Sequence, residues 1–363
     1  MSEVKVVFID IDQVPGKGLQ KDDDNNNNKY YYNDKKHDGE RVEIILLNPV
    51  CCPGYLTLTY KPNNPGAKII GITESGIHKG EFNGNITDCK SVTVYYWSGN
   101  RDYKGSLVVQ LSGARDSYYT NSGGGRWEEE EINSGALLTT LDGINCPLKI
   151  HPVDISQKSG SSYSCPSCNQ PITTLISSPI DDKYTKVTHS PDGLVGRLKD
   201  DKYNITNIPM TREIGNIYVY WYHKDGGEGK SFLICLPYPN IDNDYSSGDI
   251  WYKRESSDDN TWTKVDNSPP SSHTDCKNIL KLLQNISGGE EVESGTGNCK
   301  EIKFEDSEEE RDDSASSSSL STTSPHRLSP GAITGISIAG IGTVGSALGY
   351  GGWKLFLFLK NRL

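Results

Sequence analysis

The sequence predicts a mainly β protein of two tandem β-sandwich-like repeat domains, each closed by a short helix, followed by a disordered acidic stalk and one transmembrane helix. Three observations predict this architecture. The 363 residues include 37 Gly, 18 Pro and 20 Tyr but only 2 Met, a composition that disfavours long helices and favours short strands and turns. Several segments recur in the same order along the chain, and an uncharged run of 23 residues lies near the C-terminus.

The internal repeat is carried by matched segments that occur in the same order in both copies. The matches are residues 9–11 with 153–155, 55–62 with 184–191, 92–97 with 217–222, 107–111 with 232–236, 119–127 with 245–251, and the helix-like stretches 136–141 with 279–283. A shared order of this kind indicates a duplicated domain. We therefore expect a first repeat domain over residues 1–148 and a second over 149–287.

Within each copy the pattern is that of short strands. Leucine and tyrosine alternate with threonine in residues 55–60, which is the period of two expected of a strand. Trp127 and Trp251 are expected to cover a core. The first copy also carries residues 21–36, KDDDNNNNKYYYNDKK, for which the second copy shows no counterpart. This insertion lacks the glycine and final glutamate of an EF-hand, so we expect a low-complexity surface loop.

The region after the repeats changes character twice. Between Gly288 and Asp313 there are 11 acidic and 3 basic residues, followed by a serine-rich run. Because like charges repel and serine buries little apolar area, residues 288–329 are predicted to be a disordered stalk, with phosphorylation of Ser307 or Ser314 as an alternative role for the acidic run. The predicted span, residues 330–353, contains the uncharged run of 23 residues, 331–353, which at roughly 34 Å is long enough to cross a hydrocarbon core of about 30 Å.

A short basic tail, residues 354–363, follows the predicted membrane span. Lys354, Lys360 and Arg362 favour a cytoplasmic tail under the positive-inside rule, which leaves the repeats on the exterior or lumenal side. The N-terminus, MSEVKVVFIDIDQV, contains no signal-peptide h-region. The alternative is therefore a tail-anchored protein whose body is cytosolic. The small-residue pairs Gly331/Gly335 and Gly345/Gly349 would allow weak dimerisation of the span.

Three Asn-x-Ser/Thr sequences are candidate glycosylation sites: Asn85, Asn204 and Asn285. Glycan transfer to such sites occurs on the lumenal side. Together with the basic tail, they favour an exterior or lumenal body.

The repeats also resemble a known family. The resemblance rests on features that occur in a fixed order: the N-terminal sequence V-x-I-D-I, the strand VTVYYWSG, the strand at 107–111, the segment from Tyr119 to Trp127, a helix ending in Leu-Asp-x-Ile-Asn-Cys at Cys146, and the sequence V-D-I-S at the beginning of the second copy. This order resembles a large, lineage-expanded family of tandem-repeat proteins of the piroplasm parasite Theileria equi. The second copy departs from it, because Trp221 is shifted by one place relative to Trp97 and the closing helix lacks the same ending.

That resemblance covers both repeats, and members of the family commonly end in an acidic stalk and a glycine-rich membrane helix. It implies a host-facing, antigen-like role. It assigns no activity, cofactor or catalytic role to individual residues.

Two short motifs in the chain could carry chemistry. Asp10 and Asp12 follow an apolar strand, a pattern similar to haloacid-dehalogenase phosphotransferases, in which one aspartate attacks and the other donates a proton. The second copy has Asp154 but replaces the second acid with Ser156, and no α/β pattern follows either motif. A phosphatase is therefore disfavoured.

Cys165 and Cys168 form a Cys-Pro-Ser-Cys sequence, one of 9 cysteines in the chain. Structural zinc usually requires four ligands in two such pairs, and no second pair is present. We expect a disulfide or a pair of free thiols here, and no metal site, cofactor or catalytic residue is predicted from the sequence.

The net charge of −11 argues against nucleic-acid binding, which needs clustered basic residues. The sequence thus predicts a non-enzymatic, single-pass membrane protein that displays two β domains to an unidentified protein or host partner. An enzyme that uses Asp10/Asp12 or Cys165/Cys168 is the alternative of a different class.

Overall fold

The structure, a computed structural model, describes residues 4–287 except for 22–27, 35–38, 101, 122–124, 134, 159, 182–183, 211–212, 223–228, 238–247 and 256–260. Over this part the prediction of a mainly β chain is confirmed. The predicted stalk (288–329), span (330–353) and tail (354–363), together with the glycine pairs of the span, lie outside the described residues. None of the helices in the described ranges has both the length and the apolar character needed to cross a membrane.

The first half, residues up to 148, contains two sheets and a closing helix. Its strands are β1 (Val6–Asp10), β2 (Gln20–Lys21), β3 (Lys29–Asn33), β4 (Arg41–Leu47), β5 (Tyr55–Pro62), β6 (Lys68–Glu74), β7 (Ile77–His78), β8 (Ser91–Trp97), β9 (Val108–Ser112), β10 (Ser117–Asn121) and β11 (Trp127–Glu130). The large sheet is antiparallel, in the order β11-β10-β9-β8-β5-β4-β3-β2, and the small sheet has the order β1-β6-β7 with β1 and β6 parallel. Helix α1 (Leu137–Asn145) follows the last strand and runs directly into a 3-10 turn, Cys146–Leu148.

The second half, residues 149–287, also contains a large sheet, a small sheet and a closing helix. Its strands are β12 (Ile150–Asp154), β13 (Ser162–Ser164), β14 (Pro171–Asp181), β15 (Tyr184–Pro191), β16 (Leu194–Asp200), β17 (Tyr203–Asn204), β18 (Ile217–Tyr222), β19 (Lys230–Leu236), β20 (Ile250–Arg254) and β21 (Trp262–Lys264). The large sheet has the order β13-β14-β15-β18-β19-β20-β21, and the small sheet has the order β12-β16-β17 with β12 and β16 parallel. Helix α2 (Cys276–Ser287) closes this half.

In each half the large sheet is buried on both faces, which explains why its strands are apolar on both sides. In the first half, Leu58 and Val92 pack on one face with Ile9 and Ile72 of the small sheet. A separate cluster on the other face places large-sheet residues against helix α1, including Tyr55, Tyr95, Leu137 and Leu141. Burial of apolar area on both faces of the sheet stabilises this three-layer arrangement.

Two sequence-based assignments differ from the structure. Lys29–Asn33, which we expected in a surface loop, forms strand β3, which pairs with β4 on one side and with the edge strand β2 on the other. The second half has a strand in the same place, β13. The correspondence between β3 and β13 was not recognised from the sequence, because the residues of the 21–36 segment that pair with β4 follow its run of asparagines.

The tryptophan alignment is also corrected. Trp127 begins β11, whereas Trp251 lies within β20, the strand that occupies the place of β10. The residue that begins the last strand of the second half is Trp262. All three are buried, so the expectation that Trp127 and Trp251 cover a core is confirmed, although at different positions in the two sheets.

The parallel strand that starts each half contains an irregularity at the same place. The register shifts between Val7 and Phe8 in β1, and between His151 and Pro152 in β12. In the first small sheet the ring of Phe8 lies directly over Gly71, so closely that any side chain at position 71 would overlap it. Bulges of this kind redirect the side chain beside them, and in β12 that side chain is His151.

Candidate metal centre

Four sulfur and nitrogen donors meet where the first half joins the second. Cys146 lies at the end of α1 and begins the 3-10 turn. Lys149, with φ of 60°, ends that turn and directs the chain into β12, which carries His151. Cys165 and Cys168 lie in the short connection between β13 and β14. The closing helix of one half and the first hairpin of the other therefore contribute to one cluster.

The connection that carries the two later cysteines is a tight turn held by its own backbone. The N–H of Cys165 donates to the carbonyl of Gln170 at 2.7 Å, and the N–H of Asn169 donates to the carbonyl of Cys165 at 3.0 Å. Asn169 adopts φ of 61°, a left-handed conformation that asparagine tolerates better than most residues. This turn brings the side chains of Cys165 and Cys168 to the same side of the hairpin.

The donor atoms are close enough to share one ligand. The sulfur atoms of Cys146 and Cys165 are 3.8 Å apart, and the sulfur of Cys168 is 3.4 Å from Nδ1 of His151. One donor atom from each of the four residues lies within 4.8 Å of the others. Cys146, His151 and Cys165 are buried and Cys168 is half-buried. All three cysteines are free thiols.

The environment favours a thiolate at Cys165. The pKa of this thiol is lowered to about 5, first because the Cys146 thiol donates a hydrogen bond to its sulfur, and then because backbone N–H groups of Ser167 and Cys168 also donate to it. Burial opposes these effects but does not cancel them. The same hydrogen bond raises the pKa of Cys146. Anionic sulfur is the form of cysteine that binds metals.

A buried ion pair lies beside the cluster and also joins the halves. Asp142 of α1 accepts from Nε of Arg197 at 3.0 Å and from its Nη2 at 2.7 Å, and both side chains are buried. Asp142 also accepts from the hydroxyl of Tyr55 at 2.9 Å and from that of Ser167, next to Cys168, at 3.2 Å. Each carboxylate oxygen of Asp142 thus accepts more than one hydrogen bond, and these bonds offset the free-energy cost of burying its charge.

Further contacts across this junction come from the end of β8, from the residue after it and from the turn before β5, and Ile150 of β12 belongs to the buried cluster of α1. The indole N–H of Trp97 donates to the carbonyl of Gly196 at 3.1 Å, and the hydroxyl of Ser98 donates to the carbonyl of Met210 at 2.8 Å. Gly54, with φ of 84°, approaches the second half so closely that a Cβ there would lie 2.5 Å from the Cβ of Arg197. The described residues of the two halves accordingly belong to one compact unit.

The Asp10/Asp12 motif forms a turn after β1. Oδ1 of Asp10 accepts from the N–H of Asp12 at 3.2 Å, and Oδ2 accepts from the side-chain amide of Gln13 at 2.9 Å. Asp12 accepts from the N–H of Ser75. Both carboxylates are therefore occupied by hydrogen bonds from the turn and from the strand connection beside it. Asp10 also borders a polar cleft of about 480 Å³ that Tyr32 helps to line.

The second half repeats this turn with different side chains. Asp154 accepts from the N–H of Ser156 at 3.0 Å and from the side-chain amide of Gln157 at 3.4 Å. The backbone N–H of Asp154 donates to the hydroxyl of Tyr163 at 3.1 Å, and that of Asp10 donates to Tyr32 at 2.9 Å. An aspartate that binds the N–H two residues later is an Asx turn, and it occurs at the same place in each half.

The three candidate glycosylation sites lie in different environments. Asn285 is exposed on α2, and Asn204 is exposed on β17, where its side-chain oxygen accepts from Arg197 at 2.8 Å. Asn85 is half-buried, and its amide nitrogen donates to Tyr119 at 2.8 Å and to Glu129 at 2.6 Å. Glycan attachment at Asn85 would have to replace those hydrogen bonds.

Sequence analysis singled out Cys165 and Cys168 as a disulfide or thiol pair but missed Cys146 and His151, which the structure brings to the same cluster. The missed signal is the spacing Cys-x4-His-x13-Cys-x2-Cys, which supplies four ligands without a second Cys-x-x-Cys pair. Its soft, mostly sulfur donor set suits zinc above oxygen-preferring ions. No family model, curated protein or solved structure matches the chain, so its function is inferred from its own residues.

Proposed function

We propose that the chain is a non-enzymatic display protein: two copies of one β domain, anchored by the C-terminal segment 330–353 and presented to a protein partner. The observation that carries the proposal is the Asx turn at Asp10 and Asp154. The residue pattern that most resembles a catalytic motif stabilises a turn, and it does so in both halves although Asp12 is replaced by Ser156. A nucleophile would not tolerate that replacement of its acid partner without loss of function.

Support for a duplicated domain comes from the order and pairing of the strands. Each half begins with a strand that pairs in parallel with the first strand after the hairpin β4–β5 or β14–β15, and each bulges at the same place. Each ends with a helix packed on the large sheet: the hydroxyl of Tyr55 bonds to α1 and that of Tyr184 bonds to Ser287 in α2. Two unrelated domains would have no reason to share these details.

An exterior or lumenal body is supported by the basic residues of the tail, Lys354, Lys360 and Arg362. The buried free thiols of the body are protected from solvent. One cysteine, Cys51, is a free and exposed thiol, and it can report which side of the membrane the body faces.

Topology can be tested by labelling intact cells with a membrane-impermeant maleimide. A body on the outer side predicts labelling of Cys51 before lysis, and Cys51→Ser provides the matched control. A chain that is labelled only after lysis would establish the cytosolic, tail-anchored alternative. Removal of residues 330–363 should release the chain from membranes; continued membrane partition of the truncated chain would refute the anchor.

The enzymatic alternative is tested by assaying phosphatase activity of the full chain in detergent. We expect no turnover above that of the Asp10→Asn variant. Turnover by the native chain that Asp10→Asn abolishes, while Asp154→Asn retains it, would replace the display proposal with a phosphotransferase whose site is the cleft beside Asp10.

A further inference from the structure

We propose that Cys146, His151, Cys165 and Cys168 bind one Zn²⁺ ion that fastens the closing helix of the first half to the first hairpin of the second half. The proposal is independent of the display function. It rests on the positions of the four donors, on the turn that presents two of them, and on the junction that surrounds them.

Two of the six separations among the four donor atoms have the values expected of a zinc tetrahedron. With Zn–S bonds of about 2.3 Å and a Zn–N bond of about 2.05 Å, tetrahedral geometry places two sulfur ligands about 3.8 Å apart and a sulfur and a nitrogen about 3.5 Å apart. The structure has 3.8 Å between the sulfurs of Cys146 and Cys165, and 3.4 Å between the sulfur of Cys168 and Nδ1 of His151. One donor atom from each of the four residues lies within 4.8 Å of the others, as a single shared ion requires.

The four ligands would saturate the ion. A site with three cysteines and one histidine leaves no open position for water or substrate, which is the arrangement of structural zinc rather than catalytic zinc. The turn at Cys165–Cys168 fits this role, because it is closed by backbone hydrogen bonds from the N–H of Cys165 to the carbonyl of Gln170 and from the N–H of Asn169 to the carbonyl of Cys165. These bonds fix the backbone that carries two of the four ligands.

The ion would connect two parts of the chain that already meet through an ion pair, through hydrogen bonds and through the apolar side chain of Ile150, which belongs to the same buried cluster as Leu137 and Leu141 of α1. Cys146 belongs to the end of α1, and the other three ligands belong to the second half. Ser167, inside the metal-binding turn, also donates to Asp142, the partner of Arg197. The metal site and the ion pair therefore stabilise the same junction between the two halves. Loss of either one is expected to weaken the contacts of the other.

The experiment is metal analysis of the full chain, purified in detergent with reductant and without a polyhistidine tag. We expect on the order of one zinc per chain, as in other four-ligand structural sites, and its release when the thiols are blocked. The variant Cys146→Ser should lose the metal. The matched control is Cys89→Ser. Cys89 is also buried, but its sulfur donates to the carbonyl of Ser91 within the first half. This variant should therefore retain the zinc.

A second variant separates loss of metal from failure to fold. Nδ1 is the ring nitrogen nearer the backbone, so a cysteine sulfur at position 151 reaches nearly the same point. His151→Cys should retain the ion with four sulfur ligands, and His151→Ala should lose it. Replacement of zinc by Co²⁺ should give the intense visible bands of a tetrahedral, thiolate-bound ion in the native chain and in His151→Cys.

Two results would overturn the proposal. One is a folded, reduced native chain that takes up no zinc or cobalt when either ion is supplied. The other is a disulfide among Cys146, Cys165 and Cys168, found by mass spectrometry in the chain isolated from its membrane without added reductant.

Discussion

Replacement of Gly54 by alanine should destabilise the body through its contact with the second half. The left-handed φ of 84° costs an L-residue roughly 1–2 kcal/mol. The added Cβ would also lie 2.5 Å from the Cβ of Arg197 and 2.7 Å from the carbonyl oxygen of Gly196, and overpacking of this kind costs about 1–3 kcal/mol. We therefore expect the free energy of unfolding to fall by about 3 kcal/mol.

The matched control is Gly76→Ala. Gly76 has φ of 72°, but a Cβ there would meet no atom within 4 Å, so only the conformational cost of about 1–2 kcal/mol applies. Urea unfolding of the full chain in detergent, followed by tryptophan fluorescence, measures both variants. A Gly54→Ala value within 0.5 kcal/mol (about the usual limit for a neutral surface change) of the Gly76→Ala value would refute the junction contact.

Two further predictions concern buried charge. Asp142→Asn should lower the free energy of unfolding by about 3–5 kcal/mol, because it leaves the buried guanidinium of Arg197 without its counter-ion. The control Asp192→Asn breaks an exposed pair with a lysine and should change the free energy of unfolding by less than about 0.5 kcal/mol. Equal effects of the two variants in urea unfolding would contradict the role of Asp142 as the buried counter-ion. His189 is fully buried, and burial lowers its pKa to about 4. Between its unfolded value of about 6.5 and that pKa, only the unfolded chain binds the proton, so stability should fall by about 3 kcal/mol as pH falls from 7 to 4. His189→Gln should remove this loss of stability between pH 7 and pH 4. A variant that loses as much stability over this range as the native chain would show that the imidazole is accessible to protons in the folded chain.

Much of the fold was predictable because the period of two in the strands and the recurrence of segments are local signals. The mainly β class follows from them. The strand at Lys29–Asn33 was not predictable in the same way: its tyrosines follow a run of asparagine and aspartate, and only pairing with β4 makes them a strand. The two tryptophans were misaligned because Trp251 and Trp262 are both buried but lie on neighbouring strands.

The candidate metal site was half predictable. Cys165 and Cys168 are separated by two residues, so any tight turn brings them together. Cys146 and His151 reach the same point only because a 3-10 turn ends at Lys149 and because β12 bulges after His151 when it pairs with β16. That pairing depends on residues more than 40 positions further along the chain, and no local pattern contains it.

The close packing of Phe8 on Gly71 has a consequence for how the chain folds. Two halves with the same strand order invite exchange, in which the starting strand of one half pairs in the sheet of the other. In the first small sheet Phe8 pairs with Gly71, and at the equivalent positions of the second small sheet Pro152 pairs with Arg197. An exchanged β1 would drive its aromatic ring into the arginine that binds Asp142, and an exchanged Pro152 would leave the space over Gly71 empty. Each starting strand is thereby restricted to its own sheet, even though the backbone of both sheets would accept either.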